Sequence, residues 1–289
     1  MQGAMKQKPD WLNKKIRLQE TLKLHKLFQM HNLHTVCKEA LCPNIGECFS
    51  KKVATFLIMG NSCTRSCDFC AVKNGVPDKI DLDEPKRVAE AVKKLGLKHV
   101  VITSVTRDDI EDGGAAAFAD TIMALKAVDK DLKVEVLVPD FKGSSSSIKK
   151  VIHGAPDIFA HNLETVPRLY SKVRQGAQYE RSLDVLTKAK NFNKNIYTKS
   201  GLMLGLGETE TEVLDVLSDL RRTGCDFLSL GQYLAPSKKH FPVRDFINPA
   251  KFTYYKNKAL ELGFLCVKSG SYVRSSYAAD EYLNSRNVE

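Results

Sequence analysis

The sequence predicts an α/β protein built as a partial (β/α)6 barrel of the TIM type, and three observations point there. From about residue 53 onward, short β-rich runs alternate with helical patterns. The strand runs are near-continuously apolar, as expected when both faces are covered. Each is followed by a helix, which implies parallel, right-handed crossovers. On the residues alone, an open doubly wound sheet satisfies the same pattern. Both architectures place chemistry at the carboxyl ends of the strands.

The elements are read in order. The first strand is Val53-Ala54-Thr55-Phe56-Leu57-Ile58-Met59. A helix from about Pro85 to Leu95 follows, with Asp83 as N-cap and Gly96 as its stop. His99 to Thr103 is a strand and Ala115 to Val128 a helix; Val134 to Val138 and a helix after Ser144–Ser147 come next. Asp157 to Ala160 is a strand, Ser182 to Lys190 a helix, and Tyr197 to Leu204 a strand. Thr209-Glu210-Thr211-Glu212 reads as a capping box opening a helix that stops at Gly224. Phe227 to Leu230 is the sixth strand and Pro249 to Leu262 the last long helix. The expected organisation is an extension over 1–52, the barrel over 53–268 and a tail over 269–289 that closes the site.

Composition excludes several classes. With 289 residues and 43% hydrophobic content the chain can bury a sizeable core, so whole-chain disorder is excluded. The longest apolar run, Val53 to Gly60, is far short of the ~20 residues that span a bilayer. No apolar stretch follows MQGAMKQKPD as in a secretory signal, so a cytoplasmic location is expected. The eight cysteines are then thiols or metal ligands before they are disulfides. The formal net charge is +10, and residues 1–36 carry half of it, with seven Lys/Arg against two acidic residues. Such a segment suits nucleic acid, a membrane surface, an acidic protein or simply solvent. Trp11, Leu12, Ile16, Leu24, Leu27 and Phe28 interleave with the charges at helical spacing, which predicts a packed amphipathic helix. No RNA-binding aromatic motif or zinc-finger spacing accompanies the charge. A metal-containing nucleic-acid-binding protein therefore stays the secondary reading.

Cys63, Cys67 and Cys70 follow the first strand with spacing C-x3-C-x2-C. Structural zinc normally takes four ligands, often as paired knuckles. Three thiolates in eight residues instead suit one corner of a [4Fe–4S] cluster with an open iron, able to chelate S-adenosylmethionine. Phe69, just before the last cysteine, is expected to pack near that cluster. A second triad, Cys37, Cys42 and Cys48, spaced C-x4-C-x5-C, suits zinc when taken alone; beside the first it suggests another iron–sulfur cluster. Cys225 and Cys266 stand singly in or beside strand patterns and read as small buried hydrophobes.

The first triad is the signature of radical S-adenosylmethionine enzymes, and the two triads together resemble the lipoyl synthase family. The likeness covers nearly the whole chain. It includes residues Thr35 to Asn44, Thr103-Ser104-Val105-Thr106-Arg107-Asp108-Asp109, Asp112-Gly113-Gly114 and His161 to Pro167. It continues through Lys199 to Glu208, Gly231-Gln232-Tyr233-Leu234 and Arg274-Ser275-Ser276-Tyr277. The resemblance implies insertion of two sulfur atoms at C6 and C8 of an octanoyl chain carried on a lysine. Cys63, Cys67 and Cys70 would then hold the radical [4Fe–4S] cluster, with S-adenosylmethionine as co-substrate. Cys37, Cys42 and Cys48 would hold an auxiliary [4Fe–4S] cluster that is the sulfur source. Implied partners are octanoylated lipoyl-carrier domains with an acidic surface, an electron donor such as ferredoxin or flavodoxin, and a cluster-assembly carrier. Neither membrane nor nucleic acid is expected. The runner-up activity is another radical S-adenosylmethionine enzyme.

Further site residues follow from position. Ser104, Asn162, Glu164 and Lys199 sit at or just after strand ends, where a barrel-mouth ligand lies. The acid and the lysine suit the amino, carboxylate or ribose groups of S-adenosylmethionine, although loop closure is an equal use for such groups; Arg174 follows the same logic. Gly205-Leu206-Gly207 lacks the third glycine and the lysine of a phosphate cradle. His161 reads as an oriented, packed imidazole rather than a base. The resemblance also points to Ser276 as the fourth ligand of the auxiliary cluster, a hard and labile oxygen donor. Three positions depart from the family pattern: Ala278 where histidine is usual, and Ser66 and Asp68 inside the first cysteine loop.

Overall fold

Seven parallel strands curl in sequence order into an incomplete barrel. The computed structural model describes residues 8–12, 28, 33–39, 42, 44, 47–48 and 54–284. The main sheet runs β1 (His34–Thr35), β2 (Ala54–Ile58), β5 (His99–Ser104), β6 (Lys133–Leu137), β7 (Ile158–Ala160), β8 (Tyr197–Leu204), β9 (Phe227–Gln232) and β10 (Cys266–Gly270). Only β1 is antiparallel, pairing His34 with Leu57 and Thr35 with Phe56. A doubly wound sheet reverses its strand order at a switch point; here the order never reverses, and that settles the architecture. No pairing joins β10 back to β1 or β2 among the described residues, so the barrel stays open along one seam. Two short strands, β3 (Ser62–Cys63) and β4 (Lys73–Asn74), form a separate ribbon within the cysteine loop, and two single-turn helices, α1 (Val36–Glu39) and α5 (Tyr170–Val173), follow β1 and β7.

Alternate strand residues point outward and pack on the helices. Val100, Ile102, Val134, Val136 and Phe159 share one core with Val88 and Val92 of α2 (Glu84–Leu95), Phe118 and Ile122 of α3 (Ala115–Val128), and Ile148 and Val151 of α4 (Ser145–His153). Leu202, Leu204, Leu228, Leu230 and Val267 form a second core with Val213 and Leu217 of α7 (Glu210–Arg222) and Phe252 of α8 (Pro249–Glu261). Each such side chain, taken fully from water, contributes about 1.5–3 kcal/mol.

The helix ends follow their sequence signals. Gly96 closes α2 in the left-handed conformation, at φ 59°. Thr209 and Glu212 form a full capping box on α7. Asp83 precedes α2 without a side-chain cap bond, whereas Ser144 does cap α4. Three expectations shift. The helix expected at Ser182 is α6 (Tyr179–Phe192), because the Ser182 hydroxyl accepts from Arg174 inside the helix rather than capping its start. Strand β6 spans Lys133–Leu137, one residue early. Cys266–Gly270 adds a seventh parallel strand, paired with β9 from Cys266↔Phe227 to Gly270↔Gly231. The amphipathic segment expected from Trp11 lies mostly outside the described residues. At its ends, Leu12 is buried, Trp11 is exposed, and Phe28 packs edge-on to Phe56 at 5.5 Å.

The inward face is polar. Lys199 on β8 donates to both carboxylate oxygens of Glu135 on β6 at 2.9 and 3.1 Å, with both side chains fully buried. Strand β7 lies between these two, so the pair spans the barrel interior. His99 Nε2 stands 3.8 Å from the same carboxylate. Burial alone would raise the Glu135 carboxyl, but Lys199 and His99 beside it hold it below its ordinary range. After β10 the tail turns inward, and α9 (Asp280–Asn284) places Tyr282 against Ile158, Phe227 and Cys266, the first residues of β7, β9 and β10. The tail passes so close to β9 that a Cβ at Gly231 would sit 2.1 Å from the Val273 carbonyl oxygen.

Glu135→Gln leaves the Lys199 ammonium buried without a counter-charge. It is expected to lower unfolding free energy by about 3–5 kcal/mol in a denaturant titration, and the double variant Glu135→Leu/Lys199→Met by much less.

Candidate active site at the carboxyl end of the barrel

Strand β2 ends in a turn that launches the cysteine loop. Met59 and Gly60 both take positive φ, and the Met59 N–H donates to Glu84 Oε2 at 2.7 Å. The β3–β4 ribbon closes the loop, with the Gly75 N–H on the Cys63 carbonyl and the Cys70 N–H on the Cys67 carbonyl. Cys63 Sγ accepts the N–H groups of Arg65 at 3.4 Å and Thr106 at 3.3 Å. Phe69 packs into the second core, Asp68 N–H donates to the Val173 carbonyl, and His240 Nε2 lies 3.1 Å from the Cys70 carbonyl.

All three thiols are half-buried and free. Burial pushes the Cys67 thiol up to about 12 and the Cys70 thiol up to about 11. Such thiols become thiolates when a metal supplies the compensating charge. Structural zinc gathers its sulfurs tightly, at about 2.3 Å from one ion. Among the described residues, no three His, Cys, Asp or Glu side chains converge in that way. Three free, desolvated thiols with N–H donors aimed at one sulfur fit a larger iron–sulfur cluster.

Arg65, inside the loop, was not singled out from the sequence. Its Nε and Nη2 donate to Asp108 at 2.7 and 2.9 Å, and its Nη1 and Nη2 to Asp140 at 3.1 and 2.7 Å. Arg181 adds a bond to Asp140 at 2.8 Å. Burial opposes ionisation of Asp140, but the hydrogen bond and charge of Arg65 prevail and hold its carboxyl well below the usual range. The available signal was an arginine between Cys63 and Cys67 and two acids just past strand ends.

A second polar group follows β7. Asn162 Nδ2 donates to Glu164 Oε1 at 2.9 Å, and Glu164 takes φ 67° between its backbone bonds to Gly201 and Met203. Burial pushes the Glu164 carboxyl up, while Arg174 nearby works against that. Arg174 Nη1 donates to the Tyr170 hydroxyl at 3.1 Å and to Ser182 Oγ at 3.0 Å, and its charge also acts on Cys67. Burial pushes His161 down to about 3, so its imidazole is neutral. The neutral ring donates from Nδ1 to the Val138 carbonyl at 2.8 Å, leaving Nε2 toward Arg174 at 3.5 Å. This is the packed imidazole expected. Ser104 Oγ, at the end of β5 beside Ile58, is buried without a hydrogen-bond partner among the described residues. An acid, a guanidinium, an amide and an orphan hydroxyl beside three cysteines fit the amino-acid and ribose groups of S-adenosylmethionine.

The structure does not bring Lys199 to this group. Its ammonium is committed to Glu135 in the layer of Phe227 and Tyr282, and the expectation of a ligand contact is corrected on that ground. The N–H groups of Gly205 and Leu206 are taken by the Glu208 carboxylate at 2.6 and 2.9 Å, so this turn cradles no phosphate.

The second triad meets the tail. Cys42 and Cys48 are half-buried, and the Cys37 side chain lies outside the described residues. Asn44 Nδ2 donates to the Tyr272 carbonyl at 2.5 Å, and the Tyr277 hydroxyl to Glu47 Oε1 at 2.7 Å. Cys42 interacts electrostatically with Arg274, and Cys48 with Tyr277. On the other side, Ser275 Oγ donates to Asn162 Oδ1 at 3.1 Å. Ser276 lies in the chain between these two anchored residues, Ser275 on Asn162 and Tyr277 on Glu47. Cys225 and Cys266 are buried in the barrel wall, as their strand patterns implied.

Residues 57–220 match the profile of the Radical SAM superfamily. The chain is 56% identical over 275 residues to the lipoyl synthase of Caldicellulosiruptor saccharolyticus, covering 95% of this chain and 96% of that one. It is 52% identical over 280 residues to the lipoyl synthase of Geobacter sp. (strain M21), covering 97% and 96%. Methylornithine synthase has a similar structure, with TM-score 0.58 at 14% identity over 75% of this chain and 70% of that one. So does the FeFe-hydrogenase maturase HydG from Carboxydothermus hydrogenoformans, with TM-score 0.57 at 15% identity over 81% and 66%. These two likenesses concern the fold.

The depressed Asp140 carboxyl fixes a pH dependence. Its stabilisation is complete above the unfolded value of about 3.9 and is lost as pH falls through the lower folded value. Urea midpoints measured below about pH 4 should therefore fall more steeply with acid in the native chain than in Asp140→Asn.

Proposed function

This chain belongs to the Radical SAM superfamily and, within it, to the lipoyl synthases, and we propose that Cys63, Cys67 and Cys70 hold the cluster that meets S-adenosylmethionine while Cys37, Cys42, Cys48 and Ser276 hold the second. The enzyme inserts two sulfur atoms, at C6 and C8 of a protein-bound octanoyl-lysine, using two [4Fe–4S] clusters and S-adenosylmethionine. When bound, the first cluster and S-adenosylmethionine supply the radical chemistry that activates a saturated carbon, and the second supplies sulfur.

The chain's own residues do the rest. Arg65 and Thr106 direct backbone N–H groups at Cys63 Sγ, at 3.4 and 3.3 Å, and so orient that sulfur. Arg65, clamped by Asp108 and Asp140, fixes the loop so that the other two sulfurs keep their places. Ser104, Asn162, Glu164 and Arg174 receive the amino-acid and ribose ends of S-adenosylmethionine. Burial leaves Glu164 short of compensating charge, so a cationic amino group is its natural partner. The tail excludes water from the mouth, and that strengthens each electrostatic contact inside. Ser276 offers a hard oxygen, displaced more easily than a thiolate, to a cluster that gives up sulfur.

One observation carries this division of labour: Ser275 is bonded to Asn162 on the radical side and Tyr277 to Glu47 on the auxiliary side, bracketing Ser276. We also propose the division into an extension over 1–52, a barrel over 53–268 and a tail over 269–289. The enzyme acts on lipoyl-carrier proteins and needs a reductant. We assign the finer partners by charge and chemistry: a carrier domain with an acidic face, a small one-electron donor such as ferredoxin or flavodoxin, and a cluster-assembly carrier. Among the described residues no helix is long and apolar enough to cross a membrane; a cytoplasmic location is the reading proposed.

Two experiments test the assignment. Cys63→Ala, Cys67→Ala and Cys70→Ala should each abolish 5′-deoxyadenosine formation, whereas Ser276→Ala should retain it and lose most lipoyl product. Retained cleavage in a cysteine variant, or full product from the serine variant, contradicts the corresponding role. Affinity for an octanoylated carrier domain should fall as salt rises, since exposed charges are screened over ~10 Å at 0.1 M. A salt-independent affinity contradicts the acidic-face reading, and preference for nucleic acid favours a different partner class.

A further inference from the structure

The buried Lys199–Glu135 pair takes no part in the chemistry above, yet it sits in the middle of the barrel. Its neighbour explains it. Lys199 Nζ lies 3.9 Å from the centroid of the Tyr282 ring, and Tyr282 is only 1% exposed. The ring also packs on Phe227 at 5.4 Å between centroids, and its hydroxyl donates to the Leu228 carbonyl at 3.3 Å. An ammonium held in a dry site faces the negative face of an aromatic ring strongly, because no water competes. Glu135 keeps that ammonium charged and in place. Together they form a seat shaped for one ring.

The segment between this seat and Ser276 transmits position. Ala279 is fully buried, and Glu281 pairs with Lys268 on β10. Ala278 takes φ 49°, a conformation that a residue with a Cβ keeps only when both flanks are fixed. One flank is fixed by Tyr277 on Glu47; the other is α9, fixed by Tyr282. The ring in its seat is the buried aromatic anchor on the C-terminal side of the turn at Ala278, beside the Glu281–Lys268 pair, and Ser276 lies two residues before that turn.

We propose that Tyr282, seated on the Lys199–Glu135 pair inside the barrel, is a positioning residue that holds the tail so that Ser276 stands between Asn162 and Glu47. This rests on the reading of Ser276 as the oxygen donor of the second cluster. Tyr282 touches neither substrate nor cluster; it acts through the tail.

The test uses the enzyme carrying both clusters. Tyr282→Leu fills the site with an apolar side chain but removes the ring, Tyr282→Phe restores the ring without the hydroxyl, and Ser276→Ala serves as reference. Three quantities are read: amide exchange over residues 271–279, the Mössbauer spectrum of the second cluster, and lipoyl product against 5′-deoxyadenosine. A small displacement of a reacting group costs about a hundredfold in rate. Tyr282→Leu should therefore lose about that much lipoyl product while still forming 5′-deoxyadenosine, with faster exchange in the tail and an altered spectrum. Tyr282→Phe should match the native enzyme in all three. Native exchange and product in Tyr282→Leu would overturn the proposal. So would loss of 5′-deoxyadenosine formation in Tyr282→Leu, because the ring would then be a general core residue; equal failure of Tyr282→Phe would also overturn it. An unchanged spectrum in Ser276→Ala sinks the ligand reading instead, and the anchoring role is then decided by tail exchange alone.

Discussion

One guanidinium ties the reactive loop to the barrel. Arg65 is part of the cysteine loop, yet its hydrogen bonds go to Asp108 past β5 and Asp140 past β6. Burying such a charge costs several kcal/mol unless it is paired with good geometry. Two carboxylates, both gripped in bidentate fashion, meet that condition. Lysine would not, because a single ammonium lacks the planar fork that reaches four oxygens at once. The consequence is geometric. The loop past β5 also donates the Thr106 N–H to Cys63 Sγ and accepts from Thr64 at its carbonyl. Clamping Arg65 therefore fixes the Cys63 sulfur and the backbone leading to Cys67 and Cys70.

A barrel that does not close has a second problem, a polar interior reached through an open seam. The tail answers it from within. It leaves β10, lies over Gly231, touches Asn162 and Asn44, and ends with Tyr282 among the first residues of β7, β9 and β10. Toward the amino end the buried Lys199 is matched by Glu135. At the carboxyl end some polarity is left unmatched: the Ser104 hydroxyl lacks a partner among the described residues and Glu164 is pushed toward its neutral form. Unmatched buried polarity is costly, and it persists where a ligand completes it.

The alternation of strands and helices was legible because it is local. The helix Ala115–Val128 and the strand Tyr197–Leu204 match the sequence pattern end to end, and the Thr209 capping box forms as written. The cysteine spacing was legible for the same reason. What failed to show was whatever depends on residues far apart in the chain. Lys199 was grouped with residues at strand carboxyl ends, but it is the third residue of β8 and its partner is 64 residues away across the barrel. Nothing local marks Arg65, whose partners are 43 and 75 residues away. Ser182 resembled a helix start until Arg174 claimed its hydroxyl. The seventh strand was missed because Lys268, Ser269 and Gly270 are a poor apolar run; pairing with β9 on one edge and the tail on its inner side make them a strand.

The raised thiols at Cys67 and Cys70 and the oxygen proposed for the second site belong to one line of argument. A desolvated thiol binds metal only by losing its proton, so metal binding and proton release are coupled, and the resulting thiolates are held by the metal's own charge. Protons therefore compete with metal at these two thiols, and metal binding there is favoured as pH rises. An alcohol gives a weaker bond to iron, since oxygen is the harder donor. A site built of three thiolates and one such oxygen has a single weak corner, and the weak corner is the one carried on a tail. If that tail were loosely held, the corner would open at any time and sulfur would be lost to solvent. Its attachment at Asn162, at Glu47 and inside the barrel therefore follows from the chemistry asked of it.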